Sequence, residues 1–303
     1  MRVPALSLHV QGPQCSRLVI GAWRLAEWRM TSEEVLIFLN TCVDLGITTI
    51  DHADIYGNYT CEALFGAALQ KEPRLRDRLQ LVSKCGIKLV SAHRPQHQIK
   101  HYDTSRAHIL ASVDNSLQQL HTDYLDLLLI HRPDPLMNAD ETAEALMSLI
   151  YSGKVRYVGV SNFTPSQFEL LASRLNVPLV TNQIEISVLH LEPFLDGTLD
   201  QCQRLKIAPM AWSPLGGGAL FHSSEIRAKR LYSSLTEVGQ ELGGLTADQV
   251  ALAWLLTHPA NIIPLLGTGN LDRIRVAAIA LETRLTREQW FKIWSASTGT
   301  DVP

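Results

Sequence analysis

Eight short runs of β-branched and aliphatic residues recur along the chain, and each is followed by a segment with helical character. The runs are apolar at nearly every position, as are strands that are buried on both faces of a sheet. The intervening segments carry apolar residues at a spacing near 3.6, and helical crossovers imply that consecutive strands pair in parallel. The predicted strands are RLVIGAW (17–23), ITTIDHA (47–53), LQLVSKCGI (79–87), YLDLLLIH (124–131), VRYVGVSN (155–162), LVTNQIEIS (179–187), IAPMAWS (207–213) and NIIPLLGTG (261–269).

Eight such units in 303 residues predict an α/β fold, a (β/α)8 TIM barrel that occupies residues 1–303 as one domain. The opening ALSLHVQGPQCSRLVI alternates around a Gly-Pro turn, which predicts a short N-terminal hairpin that covers one end of the barrel. Residues 216–260 must hold an extra helix or loop. A doubly wound open sheet is the alternative, but its G-x-G-x-x-G is absent after the first strand, and GGG at 216–218 follows the seventh strand.

Composition excludes several classes of protein. The formal net charge of -3 gives no electrostatic reason to expect nucleic acid or an anionic membrane as a partner. The longest apolar runs, such as LDLLLI, are too short to span a bilayer, and the first residues do not resemble a signal peptide. We therefore expect a cytoplasmic protein that is a monomer or a weak oligomer. Reduced thiols are also expected, because the five cysteines are scattered without a C-x-x-C motif.

Polar side chains follow these apolar strands at the end where a TIM barrel builds its active site. Asp51, Tyr56, Lys84 and His131 form a possible acid–base set. A phenol with an ordinary pKa of ~10 is a weak acid at neutral pH, but an ammonium group about 4 Å away favours the phenolate by up to ~4 kcal/mol at an effective dielectric of ~20. Asp51 would keep Lys84 protonated, and His131 could hold a carbonyl oxygen beside the phenol. The set suits protonation of an oxygen as hydride reaches its carbon.

Three other functions are compatible with parts of this pattern. A Schiff-base aldolase would use Lys84 as a nucleophile, although Asp51 favours a protonated lysine. A metal-dependent hydrolase could use Asp51, His52 and His131, but the H-x-H pair usual at the first strand end is absent. A nucleotide-sensing protein without catalysis is the third alternative. The separate series His93, His97 and His101 suggests a metal site by its spacing, but Pro95 favours a loop, and we predict no metal.

The chain resembles the aldo-keto reductases, and within them the bacterial YdhF-type oxidoreductases. The motifs that carry the resemblance are DHADIYGNYTCEALFGAAL, LVSKCGI, LDLLLIHRPDP, SGKVRYVGVSNFTPSQ, TNQIEIS and AWSPLGGGAL. They occur in the order of that family, and the family's strand positions are matched from residue 17 to about 282. The resemblance implies an enzyme that reduces aldehydes or ketones with NADPH, and it implies that Asp51, Tyr56, Lys84 and His131 are the catalytic tetrad.

The resemblance also implies which residues bind the cofactor and the substrate. Ser161, Asn162 and Gln183 would bind the carboxamide, Trp212 would stack on the nicotinamide, and the loop that begins at Ser213 would wrap the pyrophosphate. The complete set of expected cofactor contacts is Gly21, Asp51, Ser161, Asn162, Gln183, Trp212, Ser213, Leu215, Gly216, Gly267, Thr268, Gly269, Asn270 and Arg273. The expected substrate contacts are Trp23, Trp28, Tyr56 and His131.

The C-terminal part departs from the family pattern. The family has Lys or Arg at the position of Asn270, where the basic side chain binds the adenosine 2′-phosphate. Arg273 lies one helical turn further on and could still reach the phosphate, and backbone N–H groups at the start of the helix favour an anion. We therefore expect NADPH as the cofactor, with NADH as a weaker one. The tail after Trp290 is short, so a long loop that closes the substrate pocket is not expected.

Overall fold

A computed structural model describes residues 2–303 of the chain. Its strands are β1 (Ala5–Ser7), β2 (Gln14–Ser16), β3 (Val19–Gly21), β4 (Thr49–Asp51), β5 (Gln80–Cys85), β6 (Ile87–Lys88), β7 (His101–Tyr102), β8 (Leu125–Ile130), β9 (Val155–Ser161), β10 (Leu179–Glu185), β11 (Met210–Trp212) and β12 (Ile263–Leu266).

The helices alternate with these strands. They are α1 (Leu25–Trp28), α2 (Ser32–Asp44), α3 (Tyr56–Tyr59), α4 (Cys61–Leu69), α5 (Arg106–Leu120), α6 (Ala139–Tyr151), α7 (Pro165–Ala172), α8 (Thr198–Leu205), α9 (Ala219–His222), α10 (Ile226–Glu241), α11 (Ala247–Leu256), α12 (Leu271–Ile279) and α13 (Arg287–Thr298). Short 3-10 helices lie at Ala22–Arg24, Pro73–Arg78, Glu192–Phe194 and Gly216–Gly218.

Eight strands close into a parallel barrel in the order β3-β4-β5-β8-β9-β10-β11-β12, with β12 paired to β3. This confirms the predicted (β/α)8 TIM barrel. The strands are shorter than the apolar runs that predicted them: the run 261–269, for example, contains only Ile263–Leu266 as strand. In this run Gly267 is exposed and Thr268 and Gly269 are half-buried, so the last three residues of the predicted strand already belong to the loop at the barrel mouth.

The predicted N-terminal hairpin is also confirmed, since β1 and β2 pair antiparallel and cover the end of the barrel where the strands begin. Leu8 and Cys15 are fully buried there in one cluster with inward-facing residues of the barrel, such as Val19 and Met210. The carbonyl of Leu8 accepts a hydrogen bond of 2.8 Å from the backbone N–H of Ala208, just before β11. The hairpin thus covers this end. The opposite end, where the strands finish, is where barrels of this kind place an active site.

Two long helices, α10 and α11, fill the segment between β11 and β12, where the sequence required an insertion. Helix α10 packs beside α13, because Arg227 and Arg230 donate hydrogen bonds to the backbone carbonyls of Ser297 and Ala296. Trp254 of α11 stacks on Trp290 of α13, with ring centroids 4.6 Å apart. The C-terminal helix is therefore part of the helical layer around the barrel.

No helix among residues 2–303 is long and apolar enough to cross a membrane. All five cysteines are buried and none forms a disulfide. Burial raises the pKa of the Cys15, Cys42 and Cys202 thiols to about 12, so they stay protonated at neutral pH.

Candidate active site

Lys84 lies at the centre of the predicted tetrad. It points into the barrel from β5, its side chain is fully buried, and its ammonium donates three hydrogen bonds. The acceptors are Asp51 Oδ2 at 2.7 Å, the backbone carbonyl of His52 at 2.7 Å and Tyr56 Oη at 2.9 Å. Since an ammonium has three hydrogens, all of its donors are used. This burial and saturation disfavour an aldolase mechanism, which needs a free lysine amine that a substrate can reach.

Tyr56 reaches Lys84 from the turn that follows β4. The chain reverses there through three residues of positive φ, Gly57, Asn58 and Tyr59, with φ of 56°, 55° and 71°. The ring of Tyr56 meets that of His131 edge to face, with centroids 5.9 Å apart. The phenol and the imidazole therefore lie side by side above the Lys84–Asp51 ion pair, as the sequence predicted.

The pKa of Tyr56 differs from the sequence-based expectation. Burial raises this pKa well above its ordinary value, and the negative charge of Asp51 raises it further. The charge of Lys84 alone was expected to favour the phenolate, but burial is the largest effect on this pKa and acts in the opposite direction. The consequence is favourable for a reductase: the phenol keeps its proton at neutral pH and is ready to donate it.

His131 closes the other side of the site as a neutral imidazole. Burial lowers its pKa well below the ordinary value, and the positive charges of Lys84 and Arg132 act in the same direction. Its Nδ1 is buried without a hydrogen-bond partner. A neutral ring that carries one N–H can donate a hydrogen bond to a carbonyl oxygen without competing with Tyr56 as an acid.

The side chains predicted to bind a carboxamide adjoin this set across the barrel mouth. Gln183 Nε2 donates to Asp51 Oδ1 at 2.7 Å, which ties β10 to the ion pair. Ser161 Oγ donates to the carbonyl of Gln183 at 2.8 Å and accepts from Asn162 Nδ2 at 2.8 Å. The indole N–H of Trp212 donates to Asn162 Oδ1 at 2.9 Å, which fixes the orientation of the indole ring.

The loop after β11 is a turn of left-handed residues. Ser213 has a φ of 49° and Gly216 one of 62°, and Gly216 N donates to the Ser213 carbonyl at 2.8 Å. The left-handed φ favours glycine at this position, whereas a β-carbon would meet only Leu189 Cδ1, at 2.7 Å, which is the end of a flexible side chain. Arg24, after β3, reaches across the mouth and donates to the Gly217 carbonyl at 3.4 Å, a contact that the sequence did not predict.

The predicted adenosine end, residues 267–273, differs from expectation in one respect. Asn270 is the N-cap of α12, and its Oδ1 accepts from the backbone N–H groups of Asp272 at 2.9 Å and Arg273 at 3.1 Å. Its own N–H donates to Thr268 Oγ1 at 3.1 Å. Two of the backbone N–H groups that were expected to favour an anion thus have a partner within the chain, Asn270 Oδ1. Asp272 forms an ion pair with Arg275 at 2.9 Å, which leaves the Arg273 guanidinium as the charged group without an ion pair in this turn of the described chain.

The two tryptophans predicted to wall the substrate pocket lie in different places. Trp23 is 57% exposed after β3, with the Arg24 guanidinium 5.3 Å from its ring. Trp28 packs on Phe38 of α2, and a β-carbon on Gly269 would lie 2.7 Å from its ring. Trp28 thus adjoins Gly269 of the predicted adenosine end, and its contact with a substrate stays a prediction.

Sequence reasoning gave no role to two basic residues that affect His131. The guanidinium of Arg132 lies 5.3 Å from the centre of the Trp212 ring. Arg132 and Lys100 both lower the pKa of His131 by their charge. The signal was in the sequence, since Arg132 directly follows His131, but only the fold shows that it turns towards Trp212.

The histidine series lies in the segment from β6 to β7. His97 and His101 line a cavity of about 550 Å³ together with Asp54 and the start of α5. In the described part of the chain, no group of three or more histidine, cysteine, aspartate or glutamate side chains is arranged to hold a metal ion. The hypothesis of a metal-dependent hydrolase therefore gains no ligand set from the fold.

Comparison with known proteins agrees with this geometry. The model of the Aldo/keto reductase family matches residues 17–297. The chain is 53% identical to the uncharacterized oxidoreductase YcsN of Bacillus subtilis over 96% of this chain and 97% of the relative. It is 51% identical to the oxidoreductase YdhF of Escherichia coli over 99% of this chain and 100% of the relative. Identity to a 6-dehydroglucose reductase of Agrobacterium fabrum is 48%, over 95% of this chain and 96% of the relative.

Solved structures show the same relationship. A thermostable aldo-keto reductase, Tm1743, in complex with the inhibitor epalrestat superposes with a TM-score of 0.80 at 30% identity, over 97% of this chain and 99% of that one. An aldo/keto reductase from Klebsiella pneumoniae in complex with NADP and acetate superposes with a TM-score of 0.75 at 25% identity, over 95% of this chain and 94% of that one. The family match, the full-length relatives and the barrel lead to one conclusion: this chain belongs to the aldo/keto reductase family.

Proposed function

We propose that the protein is an NADPH-dependent reductase of aldehyde and ketone carbonyls, with Tyr56 as the proton donor. The observation that carries the proposal is the bridge made by Lys84 between Asp51 and Tyr56, with the ring of His131 beside the phenol. A buried ion pair is costly unless the fold has a use for it. Here it holds a protonated phenol at the end of the barrel where enzymes of this architecture react their substrates.

The residues at the mouth fit a nicotinamide dinucleotide. The amides of Gln183 and Asn162 and the hydroxyl of Ser161 can pair with a carboxamide, and the fixed indole of Trp212 offers a flat face. The loop Ser213-Pro214-Leu215-Gly216 and residues Gly21, Gly267, Thr268 and Gly269 would contact the rest of the nucleotide. Arg273 offers the charge for a 2′-phosphate. When bound, NADPH supplies the hydride.

The chain itself performs the remaining steps. His131 donates its N–H to the carbonyl oxygen and orients it towards Tyr56. Tyr56 transfers its proton to that oxygen as negative charge develops there, which is general acid catalysis worth roughly 10²–10⁴-fold. Lys84 stabilises the phenolate that remains, and Asp51 balances the charge of Lys84.

The surroundings of His131 favour a hydroxylated aldehyde as substrate. Arg132 and Lys100 carry charged N–H donors whose charges act on His131, and the Arg132 guanidinium lies 5.3 Å from the centre of the Trp212 ring. Such donors can pair with hydroxyl groups of the substrate. Two relatives, at 48% and 39% identity, carry the name 6-dehydroglucose reductase. We therefore place sugar aldehydes of this kind first among the substrates.

The test is a panel of carbonyl compounds with NADPH, followed by the loss of its absorbance. The panel contains 6-dehydroglucose, short and aromatic aldehydes, dicarbonyls and ketosteroids. We expect the sugar aldehyde to give the highest kcat/KM. The Arg132→Met variant should lower kcat/KM for the sugar aldehyde more than kcat/KM for butanal. Lack of NADPH oxidation with every member would reject the proposed reductase and favour the nucleotide-sensing alternative.

A further inference from the structure

A buried polar layer lies behind Lys84, on the outer side of the barrel wall. Along β5, Val82 and Lys84 face the barrel interior, whereas Ser83 and Cys85 face helices α4 and α5. Two carboxyl groups lie in this layer: Asp54, after β4, is 6% exposed, and Glu62, on α4, is 3% exposed. Neither of these residues has a role in the proposed reaction.

Both carboxyl groups are held close to the catalytic lysine without an ion pair of their own. Ser83 Oγ donates to Glu62 Oε1 at 2.6 Å, one residue before Lys84. The backbone N–H of Asp54 donates to the backbone carbonyl of Lys84 at 3.1 Å. Asp54 Oδ1 is buried and has no hydrogen-bond partner. Two such groups are expensive to bury, which requires a structural or functional reason.

The groups around the pair come from several elements. The titratable ones are His52 after β4, Lys84 and Cys85 of β5, and, in the cavity that Asp54 lines, Tyr59, Lys88, Arg94, His97, His101, Asp103 and His108. Burial lowers the pKa of His52 to about 3 and that of His108 to about 4, and it raises the pKa of Cys85. These three are neutral near pH 7, so Lys84 and Arg94 are the cations that act on the pair.

The pair and Lys84 influence each other through charge. Burial raises the pKa of Glu62 to about 7, against the hydrogen bonds from Ser83 and Ser116 and the charge of Lys84. Burial and the charge of Glu62 raise the pKa of Asp54. Conversely, burial lowers the pKa of Lys84, while the charges of Asp51, Asp54 and Glu62 oppose that decrease. A negative charge therefore appears behind Lys84 as the pH passes neutrality.

We propose that Asp54 and Glu62 are positioning residues of the reductase site, which keep Lys84 protonated and directed at Tyr56 on the alkaline side of neutrality. The proposal rests on the proposed function. Asp51 supports the lysine from inside the barrel and also accepts from Gln183, whereas the pair supports it through the barrel wall. Neither Asp54 nor Glu62 contacts substrate or cofactor in this account.

Isosteric amides test the charge without removing the packing. In Glu62→Gln and Asp54→Asn, we expect the alkaline limb of kcat/KM for aldehyde reduction to move to lower pH by about one unit, the effect of one buried charge at ~10 Å and an effective dielectric of ~20. The ¹³Cε resonance of Lys84, identified by its loss in Lys84→Met, should titrate at lower pH by a similar amount. Ser83→Ala removes the hydroxyl and keeps the charge, and Glu225→Gln changes an exposed carboxylate; both should leave the limb and the resonance in place.

The two readouts separate the possible failures. An unchanged Lys84 titration in both amide variants overturns the role of the pair, whatever the activity. An equal shift in Ser83→Ala also overturns it, because the effect would then come from packing rather than charge. If the wild-type protein reduces no aldehyde, the proposed function fails, while the Lys84 titration still decides the role of Asp54 and Glu62.

Discussion

The ammonium of Lys84 lies 2.9 Å from the phenolic oxygen of Tyr56 and shares its remaining donors between Asp51 and the backbone carbonyl of His52. The ammonium therefore stabilises the phenolate without being able to leave the site, because its side chain is fully buried. Charge compensation and geometry depend on the same three hydrogen bonds.

Lys84→Met should remove most activity and also destabilise the fold. The substitution leaves the Asp51 carboxylate buried without its cation, and loss of one partner of a buried pair costs ~3–5 kcal/mol. Urea unfolding gives the free energy, and NADPH oxidation gives the activity. Lys88→Met, which breaks the partly exposed pair with Asp103, is the matched control and should cost less than about 1 kcal/mol. A Lys84→Met protein as stable as the control would contradict the ion pair.

Glu62 should make stability depend on pH between its two pKa values. Its pKa in the folded protein is about 7 against 4.5 for the ordinary group, so its contribution to stability is fully present below pH 4.5 and is lost as the pH rises towards 7. The 2.5-unit difference corresponds to on the order of 3 kcal/mol. The free energy of unfolding of the wild type should therefore fall between pH 4 and pH 8 relative to that of Glu62→Gln, by about that amount. If the free energy of unfolding changed with pH in the same way in both proteins, the pKa of Glu62 would be the same in the folded and the unfolded chain, contrary to the prediction.

Arg273→Ala should reduce the preference for NADPH over NADH. A charged hydrogen bond contributes roughly 1.5–3 kcal/mol, which corresponds to a preference of about ten- to a hundred-fold. Quenching of tryptophan fluorescence, titrated with each nucleotide, gives the two affinities. Lys154→Ala, at the other end of the barrel, is the control for general loss of positive charge. An unchanged affinity ratio in Arg273→Ala would reject this assignment of the phosphate ligand.

Asn270→Arg restores the basic residue that the family has at this position, but it removes the cap of α12. We expect a larger preference for NADPH together with a loss of about 1 kcal/mol in stability, since Asn270 Oδ1 accepts from two backbone N–H groups. Thermal unfolding and the nucleotide titration measure the two effects separately. Unchanged stability would mean that the new residue leaves these backbone groups satisfied by other means.

The sequence predicted the barrel well because burial on both faces leaves continuous apolar runs, such as Leu125–Ile130, that need no knowledge of the partner strands. The proximity of Asp51, Tyr56, Lys84 and His131 was predictable for a related reason: strand ends of a parallel barrel meet at one mouth. The direction in which the pKa of Tyr56 shifts was not predictable in the same way, because it depends on how completely the fold excludes water from the phenol. The cap made by Asn270 and the layer of Asp54 and Glu62 were also missed, because they depend on side-chain direction.

The measurement that tests the account most directly compares Tyr56→Phe with the wild type for both reduction and cofactor binding. Tyr56 is expected to donate the proton without touching the nucleotide. Loss of its hydroxyl should therefore lower kcat/KM for an aldehyde by about 10²–10⁴-fold and leave the Kd for NADPH nearly unchanged. NADPH oxidation and fluorescence titration on the same preparation give both numbers. Near wild-type turnover in Tyr56→Phe would contradict the assignment of Tyr56 as the general acid.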